Sequence, residues 1–307
     1  MNTSNDADRT TETAKLLPYG DLAEEIAALL QRDDIVIPQR LVMPLAGGGS
    51  FFIMPATDGE VAISKVITFT PTNPASGRPT IMGDVLVFEV ATGERTLILD
   101  GPSVTARRTA AVSLLAAQRL APNPAGPLLI VGAGVQGRAH LEAFVSALPL
   151  TEVWITSRTR TSAERLRDYA RTLGVSAEIC EDPDQALPDC PLVVTVTPAD
   201  KIVIHGTPRK DAFIAAVGAF TAKMAELSIE TCRWIATHGT IVLDSPDAVH
   251  EAGDLLQAGL ETNQYPTLQD VMRTPDHPRT GPVLFKSCGW AGWDLAAARL
   301  AHRLNRS

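Results

Sequence analysis

The stretch Leu128-Leu129-Ile130-Val131-Gly132-Ala133-Gly134-Val135-Gln136-Gly137 decides the fold of this chain. Its four apolar residues predict a buried strand, and the glycines that follow have the spacing G-x-G-x-x-G. Where a strand leads into a helix, the first glycine allows a tight turn and the second lets a phosphate approach the backbone. The third lets the helix pack closely on the strand, and the free N–H groups at the helix start attract the anion. An ordinary glycine turn is the alternative, but this context favours a dinucleotide-binding turn, with contacts from Gly132, Gly134, Val135, Gln136 and Gly137.

Strands and helices alternate on the C-terminal side of this motif. Helical segments are predicted up to residue 147 and over 163–173. The short apolar runs that predict strands cover 128–131, 153–156, 192–196, 213–217 and 240–243. Such alternation predicts an α/β fold with a doubly wound parallel sheet of the Rossmann type.

The N-terminal part has a different pattern, that of an α+β domain. Helices are predicted over 22–30 and 103–120, and strands over 50–55, 61–67, 85–90 and 95–99. A cluster of Pro and Gly residues over 122–127 marks a boundary. We therefore expect a substrate-binding and dimerisation domain over 1–121, with 1–15 frayed, and a dinucleotide-binding domain over 122–282. Residues 283–307, which contain a predicted helix over 291–303, are expected to return to the first domain.

Composition limits the classes of partner. The chain has 35 acidic and 27 basic side chains, a net charge of −8, whereas nucleic-acid and anionic membrane binders need a basic face. We therefore expect neither partner. The N-terminus lacks the apolar core of a signal peptide, and no apolar run reaches the roughly 18 residues that span a bilayer, so a cytoplasmic protein is predicted. Four cysteines without paired spacing and six scattered histidines predict neither a disulfide framework nor a metal site.

The end of the second strand of the dinucleotide-binding domain indicates the cofactor. A site that prefers NAD places an acid there, about 20 residues past the glycines, to bind the ribose 2′-hydroxyl. This chain instead has Ser157-Arg158-Thr159, and the first acid that follows is Glu164. Because Ser157 and Thr159 can hydrogen-bond a 2′-phosphate and Arg158 can pair with it, we expect NADPH, with NADH used more weakly. The alternative is that Arg158 and Arg160 are solvated loop charges.

Several further stretches resemble the ornithine cyclodeaminase/mu-crystallin family. They are Thr105-Ala106-Arg107-Arg108-Thr109-Ala110-Ala111, Gly132-Ala133-Gly134-Val135-Gln136, Ala216-Val217-Gly218-Ala219-Phe220, Asp244-Ser245, Glu251-Ala252-Gly253-Asp254 and Phe285-Lys286-Ser287-Cys288-Gly289. They occur in order and at family-like spacing from about residue 37 to the C-terminus. The resemblance implies a homodimer, and a Rossmann domain set within a split substrate and dimerisation domain.

The resemblance also implies the site residues. Family members bind substrate carboxylates through basic residues, and the matching positions are Arg40, Lys65 and Arg108. Thr80 matches a position beside the substrate and the nicotinamide. Catalytic roles are therefore expected for Lys65, Arg108 and Thr80, and we expect Thr80, Arg108, Thr197 and Val217 to contact the cofactor.

Two of these residues also stand out physically. Lys65 lies in an otherwise apolar strand and Arg108 at the start of an alanine-rich helix, where an unpaired charge is costly. An anionic ligand would explain both positions. A buried Asp or Glu as the partner of each, or an exposed face, remains the alternative.

One departure from the family pattern indicates the subclass. Ornithine cyclodeaminases have an Asp that serves the amino group during ammonia loss, and Phe220 stands at that position here. The next carboxylate is Glu226. We therefore expect the ketimine reductase branch, which reduces Δ1-pyrroline-2-carboxylate or Δ1-piperideine-2-carboxylate to L-proline or L-pipecolate, with Phe220 beside the substrate ring. The proton donor to the imine nitrogen is expected to be Lys65 or a held water.

Two other functions stay open at this point. One is an amino-acid dehydrogenase or opine-type reductase that acts on open-chain imines. The other is a mu-crystallin-like protein that binds the nucleotide without catalysis, although nucleotide binding alone does not require Arg40, Lys65 and Arg108.

Overall fold

The computed structural model describes residues 3–199, 201–274 and 281–306. The chain divides into two compact units, Met1–Thr109 with Ala291–Ser307, and Ala110–Trp290. The two points at which the chain passes from one unit to the other differ from the predicted boundaries after residues 121 and 282. The first falls inside one continuous helix, Gly101–Leu120. The second falls after Val283–Lys286, because these four residues form a strand of the parallel sheet.

The first unit is an α+β structure built on an antiparallel sheet. Its five strands are hydrogen-bonded in chain order. The strands are β1 (Leu41–Leu45), β2 (Gly49–Thr57), β3 (Val61–Phe69), β4 (Ile81–Glu89) and β5 (Arg95–Asp100). The helices are α1 (Thr3–Lys15), α2 (Tyr19–Leu29), the first half of α3 (Gly101–Leu120) and α11 (Ala291–Arg306).

The C-terminal helix completes the core of this unit. Helix α11 packs against α2 and across β2 to β5. Strand β3 alternates buried and half-buried side chains, as expected for a sheet with one covered face, and Lys65 occupies one of its buried positions. Arg299 of α11 forms ion pairs with the buried carboxylates of Glu25 on α2 and Asp58 in the β2–β3 turn. The C-terminal helix α11 therefore supplies both apolar surface and charge to the first unit.

The N-terminus differs from the prediction that residues 1–15 are frayed. Thr3–Lys15 forms helix α1, which lies against β5. Thr13 on this helix is buried, and its hydroxyl accepts a hydrogen bond of 3.0 Å from the backbone N–H of Asp100. Over residues 8–15 only the Thr13 side chain is buried, so the polar sequence of this segment gave no sign of the docking.

The second unit is a parallel α/β structure. Its sheet has seven strands in the order β11-β12-β10-β9-β6-β7-β8. The strands are β6 (Gly126–Val131), β7 (Leu150–Thr156), β8 (Ser176–Ile179), β9 (Leu192–Thr195), β10 (Phe213–Ala216), β11 (Thr240–Leu243) and β12 (Val283–Lys286). The helices are the second half of α3, α4 (Val135–Ala147), α5 (Arg160–Thr172), α6 (Pro183–Ala186), α7 (Ile229–His238), α8 (Ala248–Glu251), α9 (Gly253–Gln257) and α10 (Leu268–Arg273).

This topology confirms the predicted Rossmann-type fold. From β6 the chain builds outward through β7 to β8, and it then returns to place β9 on the other side of β6. The direction of strand addition therefore reverses between β6 and β9. In open α/β sheets, ligands bind at such a reversal, at the carboxyl ends of the strands. In the part of the chain that the structure describes, no helix combines the length and the apolarity needed to cross a bilayer.

Candidate functional site

The glycine turn lies at the carboxyl end of β6, beside the reversal of strand order. Gly132 has a φ of 118°, which disfavours any other residue. A Cβ atom on Gly137 would overlap the carbonyl oxygen of Gly132, so this glycine is required for close packing of α4 on β6. At Gly134, by contrast, a Cβ would meet nothing within 4 Å.

The same turn leaves the start of α4 accessible. Gly134 is the N-cap residue and provides no side-chain cap, while Val135 in the first turn is 72% exposed. The first backbone N–H groups of a helix have no intrahelical acceptor and carry positive potential. An uncapped helix start behind an open glycine fits a pyrophosphate group.

A buried glutamate joins the loops on the other side of the reversal. Glu226 accepts hydrogen bonds from the backbone N–H and the hydroxyl of Thr197, each 2.7 Å long, and from the N–H of Gly218 at 2.7 Å. It also accepts one from the Thr195 hydroxyl at 2.8 Å. Glu226 thus holds the carboxyl ends of β9 and β10 together, next to the predicted cofactor residues Thr197 and Val217. Since all its bonds hold the protein's own loops, it does not substitute for the acid missing at Phe220.

A buried ion pair supports this arrangement. Lys286, at the end of β12, lies 2.8 Å from the carboxylate of Asp254, and both side chains are fully buried. The ammonium also donates to the carbonyl oxygens of Ala216 and Ala219. Asp254 in turn accepts from the backbone N–H groups of Glu226 and Leu227. Burial alone would lower the pKa of Lys286, but the combined attraction of Asp254, Cys288 and Glu226 outweighs it, and the pKa is raised above its ordinary value.

Asp244 fixes the loop after β12 in a similar way. One of its carboxylate oxygens accepts hydrogen bonds from the Ser287 hydroxyl and from the backbone N–H groups of Cys288 and Gly289, at 2.8–3.0 Å. Several residues that carry the family resemblance therefore form a buried polar scaffold under the strand ends.

The loop between β7 and α5 contains the predicted phosphate-binding residues Ser157, Arg158 and Thr159. Arg158 is exposed and has no ion pair with any described residue, whereas Arg160 pairs with Glu164 at 3.1 Å. Thr159 is the N-cap of α5 and accepts from the backbone N–H of Ser162. Of the two arginines, Arg158 is thus the one available to a ligand.

In the first unit, Lys65 and Arg108 converge on one carboxylate. The Lys65 ammonium lies 2.8 Å from Oδ1 of Asp294 and donates to the Thr105 hydroxyl at 2.7 Å. Nε of Arg108 lies 3.4 Å from the same Asp294 oxygen. Lys65 and Asp294 are fully buried and Arg108 is 7% exposed. Burial lowers the pKa of Lys65 to about 8, against the attraction of Asp294 and with a further lowering from Arg108.

The cluster has more positive charge than its carboxylate neutralises. Two cations share the single negative charge of Asp294, and the guanidinium of Arg108 donates no hydrogen bond to a described residue, although its Nε is buried. By contrast, the neighbouring Arg107 is held by the Leu17 carbonyl oxygen and stacks on Tyr19. A buried guanidinium with unused donors favours binding of a carboxylate ligand.

The other predicted site residues take separate positions. Arg40 is half-buried in the segment before β1, and Thr80 directly precedes β4. Phe220 is 38% exposed in the loop after β10, and Val217 in the same loop donates its N–H to the carbonyl oxygen of Thr195. Their contacts with substrate or cofactor stay predictions.

Sequence reasoning missed Thr105, Asp294 and the loop-joining role of Glu226. For Asp294 a signal existed, because a single acid interrupts the apolar face of a C-terminal helix rich in Ala and Leu. The ion pair with Asp294 agrees with the alternative in which Lys65 pairs with a buried acid. The four cysteines are free thiols, and no group of described residues could hold a metal ion.

The strand order, the glycine turn and the open helix start define the second unit as a Rossmann-type α/β domain, joined in one chain to an α+β unit. A model of the ornithine cyclodeaminase/mu-crystallin family matches residues 8–306. The chain belongs to this family, which confirms the resemblance found in the sequence.

Individual relatives agree with this assignment. Delta(1)-pyrroline-2-carboxylate reductase 1 of Burkholderia multivorans is 38% identical over 295 residues, which cover 94% of this chain and 93% of the relative. The Delta(1)-pyrroline-2-carboxylate/Delta(1)-piperideine-2-carboxylate reductase of Azospirillum brasilense is 37% identical over 296 residues, with the same coverage. In fold, the chain matches the structure of Thermococcus litoralis Delta(1)-pyrroline-2-carboxylate reductase in complex with NADH and L-proline, with a TM-score of 0.87, 23% identity and 96% coverage of each chain.

Proposed function

We propose that this protein is an NADPH-dependent reductase of cyclic ketimines that carry a carboxylate on the imine carbon. Its substrates are Δ1-pyrroline-2-carboxylate and Δ1-piperideine-2-carboxylate, and its products are L-proline and L-pipecolate. The observation that carries the proposal is the buried Lys65–Arg108 pair, which holds one positive charge more than Asp294 neutralises. The reductases of B. multivorans and A. brasilense, which cover most of both chains, support the same class of substrate.

The residues supply binding and a proton. Arg108 binds the substrate carboxylate, because its guanidinium is buried and lacks hydrogen-bond acceptors among the described residues. Lys65 donates a proton to the imine nitrogen, since its pKa of about 8 lies close to neutral pH. A protonated imine accepts hydride more readily than a neutral one. The backbone at the start of α4 holds the pyrophosphate of the cofactor. A bound reduced nicotinamide nucleotide supplies the hydride.

Turnover with purified protein tests the function directly. NADPH is mixed with either cyclic ketimine, and oxidation is followed as the loss of absorbance of the reduced nicotinamide. Pyruvate with ammonia serves as the open-chain comparison. We expect turnover with the cyclic substrates. Turnover only with pyruvate and ammonia would instead identify an amino-acid dehydrogenase, and binding of NADPH without any turnover would identify a binding protein.

The preference for NADPH gives a second prediction. Arg158→Ala is expected to raise the KM for NADPH at least ~10-fold and to leave the KM for NADH nearly unchanged, because an arginine–phosphate pair contributes about 1.5–3 kcal/mol. Steady-state kinetics with both cofactors measures this. The matched control is Arg160→Ala, since Arg160, at the start of α5, already pairs with Glu164 one helical turn further on. Equal effects of Arg158→Ala on both cofactors would show that this arginine does not contact the 2′-phosphate.

Strand β1 supports the proposal of a homodimer. It is an outer strand of its sheet, and Leu41, Val42, Met43 and Leu45 on it are 38–48% exposed. An exposed apolar edge strand favours pairing with another chain unless something covers it. We expect light scattering to give about twice the chain mass of 32.7 kDa.

The same measurement on variants tests the surface. The double variant Val42→Lys with Met43→Lys should shift the mass toward that of one chain, because two buried charges per protomer oppose the contact. Val90→Lys is the control, since Val90 is equally exposed but lies in the β4–β5 turn. A monomeric wild-type protein would contradict the proposal.

The cytoplasm is the compartment we propose. Four free cysteines are compatible with a reducing compartment, in which reduced nicotinamide nucleotides are also available. Cell fractionation with an antibody to the chain tests this.

A further inference from the structure

The hydrogen bonds of Lys65 distinguish one of its three ammonium protons from the other two. One N–H is directed at Oδ1 of Asp294 on α11 and a second at the hydroxyl of Thr105 on α3. An ammonium has three N–H donors. The third has no acceptor among the described residues, although the side chain is only 1% exposed.

The Thr105 hydroxyl acts toward Lys65 only as an acceptor. Its single proton is directed at the carbonyl oxygen of Gly101, one helical turn earlier, at 2.8 Å. As long as this bond is kept, Thr105 accepts from Lys65 and does not donate to it. With both of its own bonds kept, a neutral Lys65 donates one N–H to Thr105 and one to Asp294, so its lone pair points in the third direction.

The surroundings leave few other ways to hold the amine. Met54 and Val85, the neighbours of Lys65 on β2 and β4, are apolar. The charged groups that face it are Asp294 from α11 and Arg108 from α3. The direction of the third N–H is therefore set by two acceptors from two different helices.

We propose that Thr105 and Asp294 are positioning residues that engage two N–H groups of Lys65 and reserve the third for transfer to the substrate nitrogen. The proposal rests on the proposed function. In the step, the third N–H bond of Lys65 breaks and an N–H bond forms on the imine nitrogen. The hydride from the reduced nicotinamide nucleotide forms the new C–H bond and reduces the imine carbon, and Lys65 then regains a proton from solvent.

Thr105→Val tests the role of the hydroxyl, because valine has nearly the same shape and cannot accept a hydrogen bond. We expect kcat to fall about 10-fold or more, the scale of one hydrogen bond to a charged group, with KM changed less than about threefold. Thr105→Ser should retain a kcat within about twofold of the wild-type value. Thr57→Val is the matched control, since it removes a hydroxyl bond to the Val61 carbonyl oxygen at the turn between β2 and β3 and does not touch Lys65. Thr105→Ala is measured in parallel, so that a misfolded valine variant does not decide the result.

Asp294→Asn provides a readout that is independent of turnover. Lysine labelled with ¹³C at Cε reports the titration of each of the six lysines, and the Lys65 signal is assigned by its loss in Lys65→Arg. Removal of the negative charge should move the Lys65 titration midpoint to lower pH by about one unit or more. If the wild-type protein turned over no ketimine, the proposed function would fail while this titration still showed whether Asp294 holds Lys65. Wild-type kcat in both Thr105→Val and Thr105→Ala, or an unchanged Lys65 midpoint in Asp294→Asn, would overturn the positioning roles.

Discussion

Asp254→Asn is expected to lower the free energy of unfolding of the Ala110–Trp290 unit by about 3 kcal/mol, because it leaves a buried cation without its partner. Lys286 and Asp254 are fully buried and 2.8 Å apart. Asparagine retains an oxygen that can accept from the N–H groups of Glu226 and Leu227, so the substitution mainly removes the charge. Denaturant unfolding followed by circular dichroism measures the difference.

A double variant separates the charge from the packing. Lys286→Met together with Asp254→Asn should recover a large part of the lost stability, since the uncompensated cation is removed. Asp270→Asn is the surface control. Asp270 lies in the exposed first turn of α10, where its carboxylate accepts from the Thr267 backbone, and we expect about 1 kcal/mol or less. A loss below about 1 kcal/mol in Asp254→Asn would mean that Lys286 is not held as a charged group.

Asp254→Asn should also affect the predicted cofactor-binding loops, because Asp254 belongs to the same hydrogen-bond network as Glu226. Asp254 bonds the backbone of Glu226, and the Glu226 carboxylate holds Thr197 and Gly218 at the carboxyl ends of β9 and β10. Burial raises the pKa of Glu226 above its ordinary value, against the attraction of Lys286. The scaffold under the strand ends is thus a set of coupled buried charges. Loosening one of them frees the loops next to the strand-order reversal.

Local patterns predicted the parts of the fold that have local causes. The glycine spacing after an apolar run predicted the turn at Gly132–Gly137, because Gly132 is needed for its positive φ and Gly137 for close packing against a residue five positions earlier. The alternation of short apolar runs with helical segments predicted the parallel sheet, because each strand and helix is likewise set by residues close together in the sequence. The change of unit inside α3 left no such signal, since the helix continues without a break through Thr109.

The sequence predicted which types of residue lie in the site, but not which residues pair with one another. A lysine at a core position of β3 required a counter-charge, and this was visible in the sequence. That the counter-charge is Asp294, 229 residues away in the chain, depends on the return of α11 to the first sheet. The same holds for Glu226, whose function is to join two loops and which resembles an ordinary loop acid in sequence.

The pH dependence of turnover should follow the ionisation of Lys65. The pKa of this residue is lowered from 10.5 to about 8, first by burial. Only the ammonium form can donate a proton, so kcat/KM should be constant below pH 7 and fall as pH rises through about 8. The sign is that of an acid catalyst, because raising the pH removes the proton that the step requires.

Lys65→Met should lower kcat by about 10²–10⁴-fold, the usual contribution of a positioned general acid. Methionine fills a similar volume and removes both the proton and the charge, so the chain should still fold, although Asp294 then retains only Arg108 as a counter-ion. Lys65→Arg separates the two effects, since guanidinium keeps the charge and does not release a proton at neutral pH. We expect it to restore substrate binding more than kcat and to abolish the fall of kcat/KM near pH 8. If Lys65→Arg retained both the wild-type kcat and that fall, the proton would come from another group, such as a held water. Lys65 would then act only in binding the carboxylate.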